Sequence, residues 1–291
     1  MGRRGAYRGL VSGRGRAPGR AATRPQGTIT RGTTNPNRLR RIDRWLAGPG
    51  AGRRLRTAAD PVVVDLGYGA TPITAVELLA RLRAVRTEVE VVGIEIDPSR
   101  VEAAQPLAGN GLSFTRGGFE VPLPAGRRPV VIRALNVLRQ YDEHQVDAAW
   151  ASLCSRLAPG GLVVEGTCDE VGRRATWVAL EADGPRSLTL STRLAGLDRP
   201  GELAERLPKA LIHRNVPGEP IHAFLQALDD AWTRHAHLAG FGARQRWAAM
   251  AAAARRAGWP LMDGPTRWRL GELTVAWSAV APSRSAHGGG V

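Results

Sequence analysis

The chain has 291 residues, 43% of them hydrophobic, enough to bury one large core, so its length does not demand two independent folds. No stretch reaches the roughly 18 uncharged apolar residues of a membrane span, and no apolar segment follows the first charges as in a signal peptide, so a soluble cytoplasmic protein with no membrane partner is expected. Two isolated cysteines, Cys154 and Cys168, fit a reducing compartment; neither stands at metal-ligand spacing, and no metal site is expected.

The formal charge of +15 is unevenly distributed. Residues 1–56 carry fifteen arginines against one acid, Asp43, so the body is nearly neutral. A basic arm of this kind is a candidate phosphate clamp for RNA or DNA. A solvated tail, the codon bias of a GC-rich gene or a start codon set too far upstream gives the same composition, and these readings stay open.

In chain order, residues 1–34 mix Gly and Arg with almost no aliphatic side chains and are expected to form a disordered arm. In residues 35–60, Leu39, Ile42, Trp45 and Leu46 recur at helical spacing, and Gly48-Pro49 ends the helix before a Gly/Arg linker. Residues 61–170 then alternate. Pro61 to Asp65 is an apolar strand, Pro72 to about Arg86 a helix, Val89 to Glu95 a second strand and Pro98 to Leu107 a second helix. Leu112 to Thr115 is a weak third strand, Val130 to Leu135 a fourth, Asp142 to Leu157 a helix and Leu162 to Gly166 a fifth strand. This order implies βαβ units and a doubly wound, mostly parallel α/β sheet with helices on both faces.

Residues 171–282 are expected to complete the sheet and cover a substrate. Strands are expected at Thr176 to Leu180 and Ser187 to Leu194, helix from Pro220 to Gly258, and a last strand from Leu273 to Val280. Residues 283–291 are expected to be a disordered tail.

The chemistry is concentrated at the strand ends. Val64-Asp65-Leu66-Gly67-Tyr68-Gly69 joins the first strand to a helix that begins at Pro72, and Val92-Gly93-Ile94-Glu95-Ile96-Asp97-Pro98 repeats an acidic strand end thirty positions later. Gly67 and Gly69 let the backbone bend and lie close to a ligand, and the turn is at the carboxyl end of a strand, where open α/β sheets bind ligands. Here the sequence resembles the class I S-adenosylmethionine-dependent methyltransferases, which carry an acid and a Gly-x-Gly turn at this place.

The resemblance covers about Val62 to Cys168 and implies S-adenosylmethionine as cofactor. It implies that Asp65 meets the methionine part, that Glu95 binds the ribose hydroxyls and that Asp97 is either a further contact or the cap of the next helix. Phe114-Thr115-Arg116-Gly117-Gly118-Phe119 falls where the family carries an acid for the adenine amine. Gly118 stands there instead, so adenine recognition is expected to use backbone groups and Phe119, with Phe119 as plain core the equal alternative. Arg133 and Asn136, at the fourth strand end, are the substrate-facing candidates, and Pro159-Gly160-Gly161 matches the family's turn before the fifth strand.

A nicotinamide-binding domain is the rival; its fingerprint wants a third small residue where Pro72 stands. Thr167-Cys168 resembles the nucleophile segment of RNA cytosine-5 methyltransferases, whose companion Pro-Cys is absent, and Cys168 is otherwise a small buried residue. The histidines, among them His144, His213, His222, His235 and His237, form no constellation, and no catalytic residue is assigned. The implied activity is direct methyl transfer to an unidentified acceptor, a small molecule or, through the arm, RNA or DNA. A non-catalytic cofactor-binding protein of the same fold is the alternative outside enzymology.

Overall fold

The computed structural model describes residues 25–29 and 34–283. Its centre is an eight-stranded sheet in the order β3-β2-β1-β4-β5-β6-β7-β8. Strands β1 (Val62–Leu66), β2 (Glu90–Glu95), β3 (Leu112–Arg116), β4 (Val131–Leu135) and β5 (Leu162–Cys168) run parallel. Strands β6 (Arg174–Glu181), β7 (Gly184–Thr192) and β8 (Glu272–Ala276) extend it as an antiparallel meander. The parallel half is the doubly wound arrangement the alternation implies, and the order reverses between β1 and β4, the place where such sheets open a ligand crevice.

Helices cover both faces. Side chains of β1 point alternately to the two: Val62, Val64 and Leu66 join the core under α5 (Val146–Arg156), α7 (Pro220–Arg234) and α8 (Ala243–Arg256). Val63 joins the core under α1 (Arg40–Leu46), α2 (Pro49–Thr57), α3 (Ile73–Leu82) and α4 (Pro98–Ala104). Burial on both sides is why β1 begins as the continuous apolar run Val62-Val63-Val64.

Two expectations are corrected. Residues 49–57 are a helix, not a linker: Pro49 suits a first helical turn, and Ala51, Gly52 and Leu55 are buried against α1 and the sheet. The arm is not wholly unstructured, because Pro25–Ile29 and Thr34 pack against the body; the rest of 1–34, and the tail beyond Ser283, lie outside the described residues. The helix-spaced residues Leu39, Ile42 and Leu46 are buried, and Trp45 meets Trp177 of β6 edge-to-face at 5.7 Å. No helix among the described residues is long and apolar enough to cross a membrane.

One buried charge gives the fold a pH dependence. Glu165 on β5 is fully buried; Trp150 Nε1 donates to Oε2 at 3.4 Å, and Oε1 has no hydrogen-bond partner among the described residues. Burial pushes its carboxyl from 4.5 up to about 8, so the folded protein holds it neutral near pH 7. A raised carboxyl pKa gives stability that is full below the unfolded value and is lost as pH rises through the folded one. The protein is therefore expected to lose stability between pH 4.5 and about 8. Urea unfolding across that window checks it: Glu165→Gln should flatten part of the slope, leaving the parts contributed by Glu272, pushed up by burial to about 7, and by Asp43, Asp229 and Asp263, which burial also pushes up.

Candidate functional site

The carboxyl ends of β1, β2 and β4 border a cleft in two parts. The first is lined by Asp65, the Gly67-Tyr68-Gly69 turn, Thr74, Leu135 and Asn136, with Thr34, Arg38 and Leu39 as the outer wall. The second is lined by Glu95, Ile96, Gly118, Phe119, Val137 and Tyr141, with Gln26 and Thr28 across it. Leu66 and Gly67 border both.

The glycine turn has the geometry that requires glycine. Gly67 and Gly69 have φ of 68° and 84°, in the left-handed region. Gly67 N–H donates to Ile94 O at 2.7 Å, locking the turn to the end of β2, and Gly69 N–H donates to Glu95 Oε2 at 3.0 Å. Glu95 Oε1 accepts from the Ile96 amide at 2.9 Å, and Arg100 approaches Oε2 at 3.5 Å. The acid of the second motif is thus fixed by the turn of the first. Tyr68 is buried, packed edge-to-face on Phe114 at 5.5 Å, and its carbonyl accepts from Thr34 Oγ1 at 3.0 Å.

Asp65 lines the first cavity, yet its charge is answered inside the protein. Arg133 is its neighbour in register on β4 and is fully buried. Arg133 Nε donates to Asp65 Oδ1 at 3.0 Å and its Nη2 lies 2.8 Å from Oδ2, which also accepts from Thr74 Oγ1 at 2.8 Å. The same guanidinium pairs with Asp43 of α1, itself completely buried, and donates to Thr74 O at 2.9 Å. Arg81 closes the cluster, donating to Asp43 Oδ2 at 2.7 Å and to Asn37 Oδ1 at 2.7 Å. Burial alone pushes the Arg133 pKa down, but the charges of Asp43 and Asp65 outweigh it and hold it above its ordinary value. Arg133 therefore positions Asp65 and the arm helix and does not face a substrate, a correction to its expected role.

Asn136 does line the first cavity. It adopts φ 61°, uncommon for a non-glycine residue, and its side chain is clamped to β5, with Oδ1 accepting from the Cys168 amide at 3.0 Å and Nδ2 3.3 Å from Cys168 Sγ. Cys168 is buried and burial pushes its thiol pKa up, against the influence of Arg38 and Asn136, which is unsuited to a nucleophile. Asp97 accepts from the Ser99 amide at 2.9 Å and caps α4; it lines neither cavity.

The sequence reading missed three contributors. Glu120, two positions past Gly118, holds the Gly118 amide at 2.9 Å and the Gln26 amide at 2.8 Å. Arg38 is the cation at the rim of the first cavity. The segment Pro25–Ile29 forms a wall of the second. The acid near Phe119 was visible in the sequence, at a different offset from the one the resemblance suggested. Nothing in local periodicity signals Pro25–Ile29. Among the described residues, no position in 171–282 lines either cavity, and the residues across them from the strand ends come from the amino-terminal segment.

No protein-family model matches the chain, and no curated protein matches it. Solved structures that the chain resembles over part of its length include the glycopeptide N-methyltransferase MtfA, at 18% identity and TM-score 0.33, over 43% of this chain and 52% of that one. The O-methyltransferase NcsB1 from neocarzinostatin biosynthesis, solved with S-adenosyl-L-homocysteine and 1,4-dihydroxy-2-naphthoic acid, matches at 21% identity and TM-score 0.30, over 44% of this chain and 38% of that one. Human N-acetylserotonin methyltransferase, solved with S-adenosylmethionine, matches at 20% identity and TM-score 0.29, over 44% and 36%. The matched region spans about a third to a half of those chains, and a likeness this partial says nothing of this chain's chemistry.

The cluster around Arg133 is testable on stability. Arg133→Met leaves Asp65 buried without its guanidinium and Asp43 with Arg81 alone, and should cost about 3–5 kcal/mol in urea unfolding. Removing the charge it answers, with Asp43→Asn in the same chain, should recover part of that loss.

Proposed function

We propose that the chain binds S-adenosylmethionine in the two-part cleft and transfers its methyl group to a small-molecule acceptor. The observation that carries this reading is the placement of Glu95. It is held by the glycine turn, on the wall of the second cavity, one residue past the β-strand neighbour of Asp65's own strand end. A carboxylate there is the group that accepts hydrogen bonds from vicinal ribose hydroxyls. The cavity beside Phe119 then suits a nucleobase, and the polar cavity between the glycine turn, Arg38 and Asn136 suits an amino-acid moiety.

The bound sulfonium supplies the reactive methyl group, so the protein need not provide a nucleophile. What the residues supply is alignment. Gly67, past the end of β1, borders both cavities, and Asn136, past the end of the neighbouring β4 and clamped to Cys168, borders the first. A dinucleotide is less well served: Pro72 begins α3 where a dinucleotide fold needs a third small residue, and Asp65 rather than an open set of amides borders the turn.

Arg38 donates to Asp169 O, Arg40 to Val171 O, Arg41 to Leu270 O and Arg54 to Gly160 O, so these arginines that follow the arm hold the amino-terminal helices to the body. The arginines of residues 1–34 lie outside the described residues, and the nucleic-acid reading is separated from the small-molecule one by the acceptor screen below.

Calorimetry tests the cofactor reading. S-adenosylmethionine and S-adenosylhomocysteine should bind and NADH should not, and Glu95→Ala should weaken S-adenosylhomocysteine by about 10- to 100-fold, the loss of a hydrogen bond to a charged group. Binding of NADH with none of either sulfur compound would overturn it. Turnover of labelled S-adenosylmethionine in a screen of small molecules tests the acceptor; transfer only to RNA or DNA would replace it with the nucleic-acid reading.

A further inference from the structure

The second cavity is already engaged by the chain's own backbone. Phe119 N–H donates to Gln26 O at 2.9 Å, and Gln26 N–H donates to Glu120 Oε2 at 2.8 Å. One residue thus offers a donor and an acceptor, side by side, to an amide and a carboxylate at the mouth of the cavity lined by Phe119 and Glu95. The Watson–Crick edge of adenine offers the same pair, with N1 accepting and the N6 amine donating.

The contact is built into both partners. A Cβ on Gly118 would stand 1.8 Å from Gln26 O, so only glycine admits this approach. Gly27 has φ 129°, and a Cβ there would meet Tyr141 Oη at 2.8 Å and Ile96 Cδ1 at 3.0 Å. The next residue is tied as well, Thr28 O accepting from Gln140 Nε2 at 3.1 Å. The loop carrying Phe119 and Glu120 is itself strained, since Val121, a β-branched residue, has φ 44°.

We infer that the Gln26 peptide is an internal competitor for the adenine end of the cofactor: it occupies the Phe119 amide and the Glu120 carboxylate, and the cofactor's base displaces it. This rests on the cofactor reading above. A ligand that binds only the open state has its apparent affinity reduced by the open fraction, so releasing the strap raises affinity without adding a contact.

The test uses the full chain and S-adenosylhomocysteine as probe. Gly27→Val cannot keep its backbone angle or its place against Tyr141, and Gln26→Pro loses the N–H that Glu120 holds; near-ultraviolet circular dichroism shows whether each stays folded. Both should bind S-adenosylhomocysteine about ten-fold more tightly than the native chain, as for a cleft open about a tenth of the time. In the native protein the ligand should speed hydrogen exchange of the amides of residues 26–28. Equal or weaker binding by the folded variants, or strap amides that slow when ligand is added, overturns the inference while leaving the cofactor reading intact. Binding by none of the three proteins overturns the cofactor reading and this inference with it.

Discussion

The structure depends on one buried guanidinium. Arg133 answers both Asp65, at the end of β1, and Asp43, on the amino-terminal helix, and the two carboxylates together hold it ionised where burial alone works against it. Such a cluster costs desolvation on every member, and its value is in geometry: each partner fixes the direction of the next. Through Arg133 the glycine turn is tied to β4, and through Asp43 the helix Arg40–Leu46 is tied to both.

That constraint explains why the amino-terminal segment forms a wall of the site. With α1 anchored over the sheet, Thr34 and Arg38 are delivered to the rim of the first cavity, and Thr34 bonds the carbonyl of Tyr68 inside the glycine turn. The segment Pro25–Ile29 reaches the second cavity and bonds the loop after β3. The cleft is therefore bounded from one side by strand ends and from the other by residues that precede the whole α/β core. The carboxyl-terminal helices α7 and α8 share the core on the face opposite α1–α4 with Leu188, Leu190 and Val275 of β7 and β8, and are joined to each other by Trp232 and Trp247, edge-to-face at 6.4 Å.

The parallel half of the fold was legible because its central strands β1 and β2 are buried on both faces and carry apolar runs such as Val62-Val63-Val64. The motif residues Asp65, Gly67, Gly69 and Glu95 lie around one cleft for the same reason: strand ends of successive βαβ units are neighbours. What was not legible depends on contacts distant in sequence. Nothing local distinguishes Arg133 as a partner of Asp43, ninety residues away, from an arginine that faces a substrate. A charged residue in the middle of an otherwise apolar strand beside another such strand was the available sign. Helix α2 was hidden by its two glycines and three arginines, because tertiary burial of Ala51 and Leu55 overrides poor propensity. Gln26 was invisible because it acts through its backbone.

The claim that this cleft is an S-adenosylmethionine site is tested most directly by a crystal structure of the protein with S-adenosylhomocysteine. The account predicts ribose hydroxyls on Glu95, the adenine edge on the Phe119 amide and Glu120 in place of Gln26, and the amino-acid part between the Gly67–Gly69 turn and Asn136. A ligand bound elsewhere, with Gln26 still seated on Phe119 and Glu120, would contradict it.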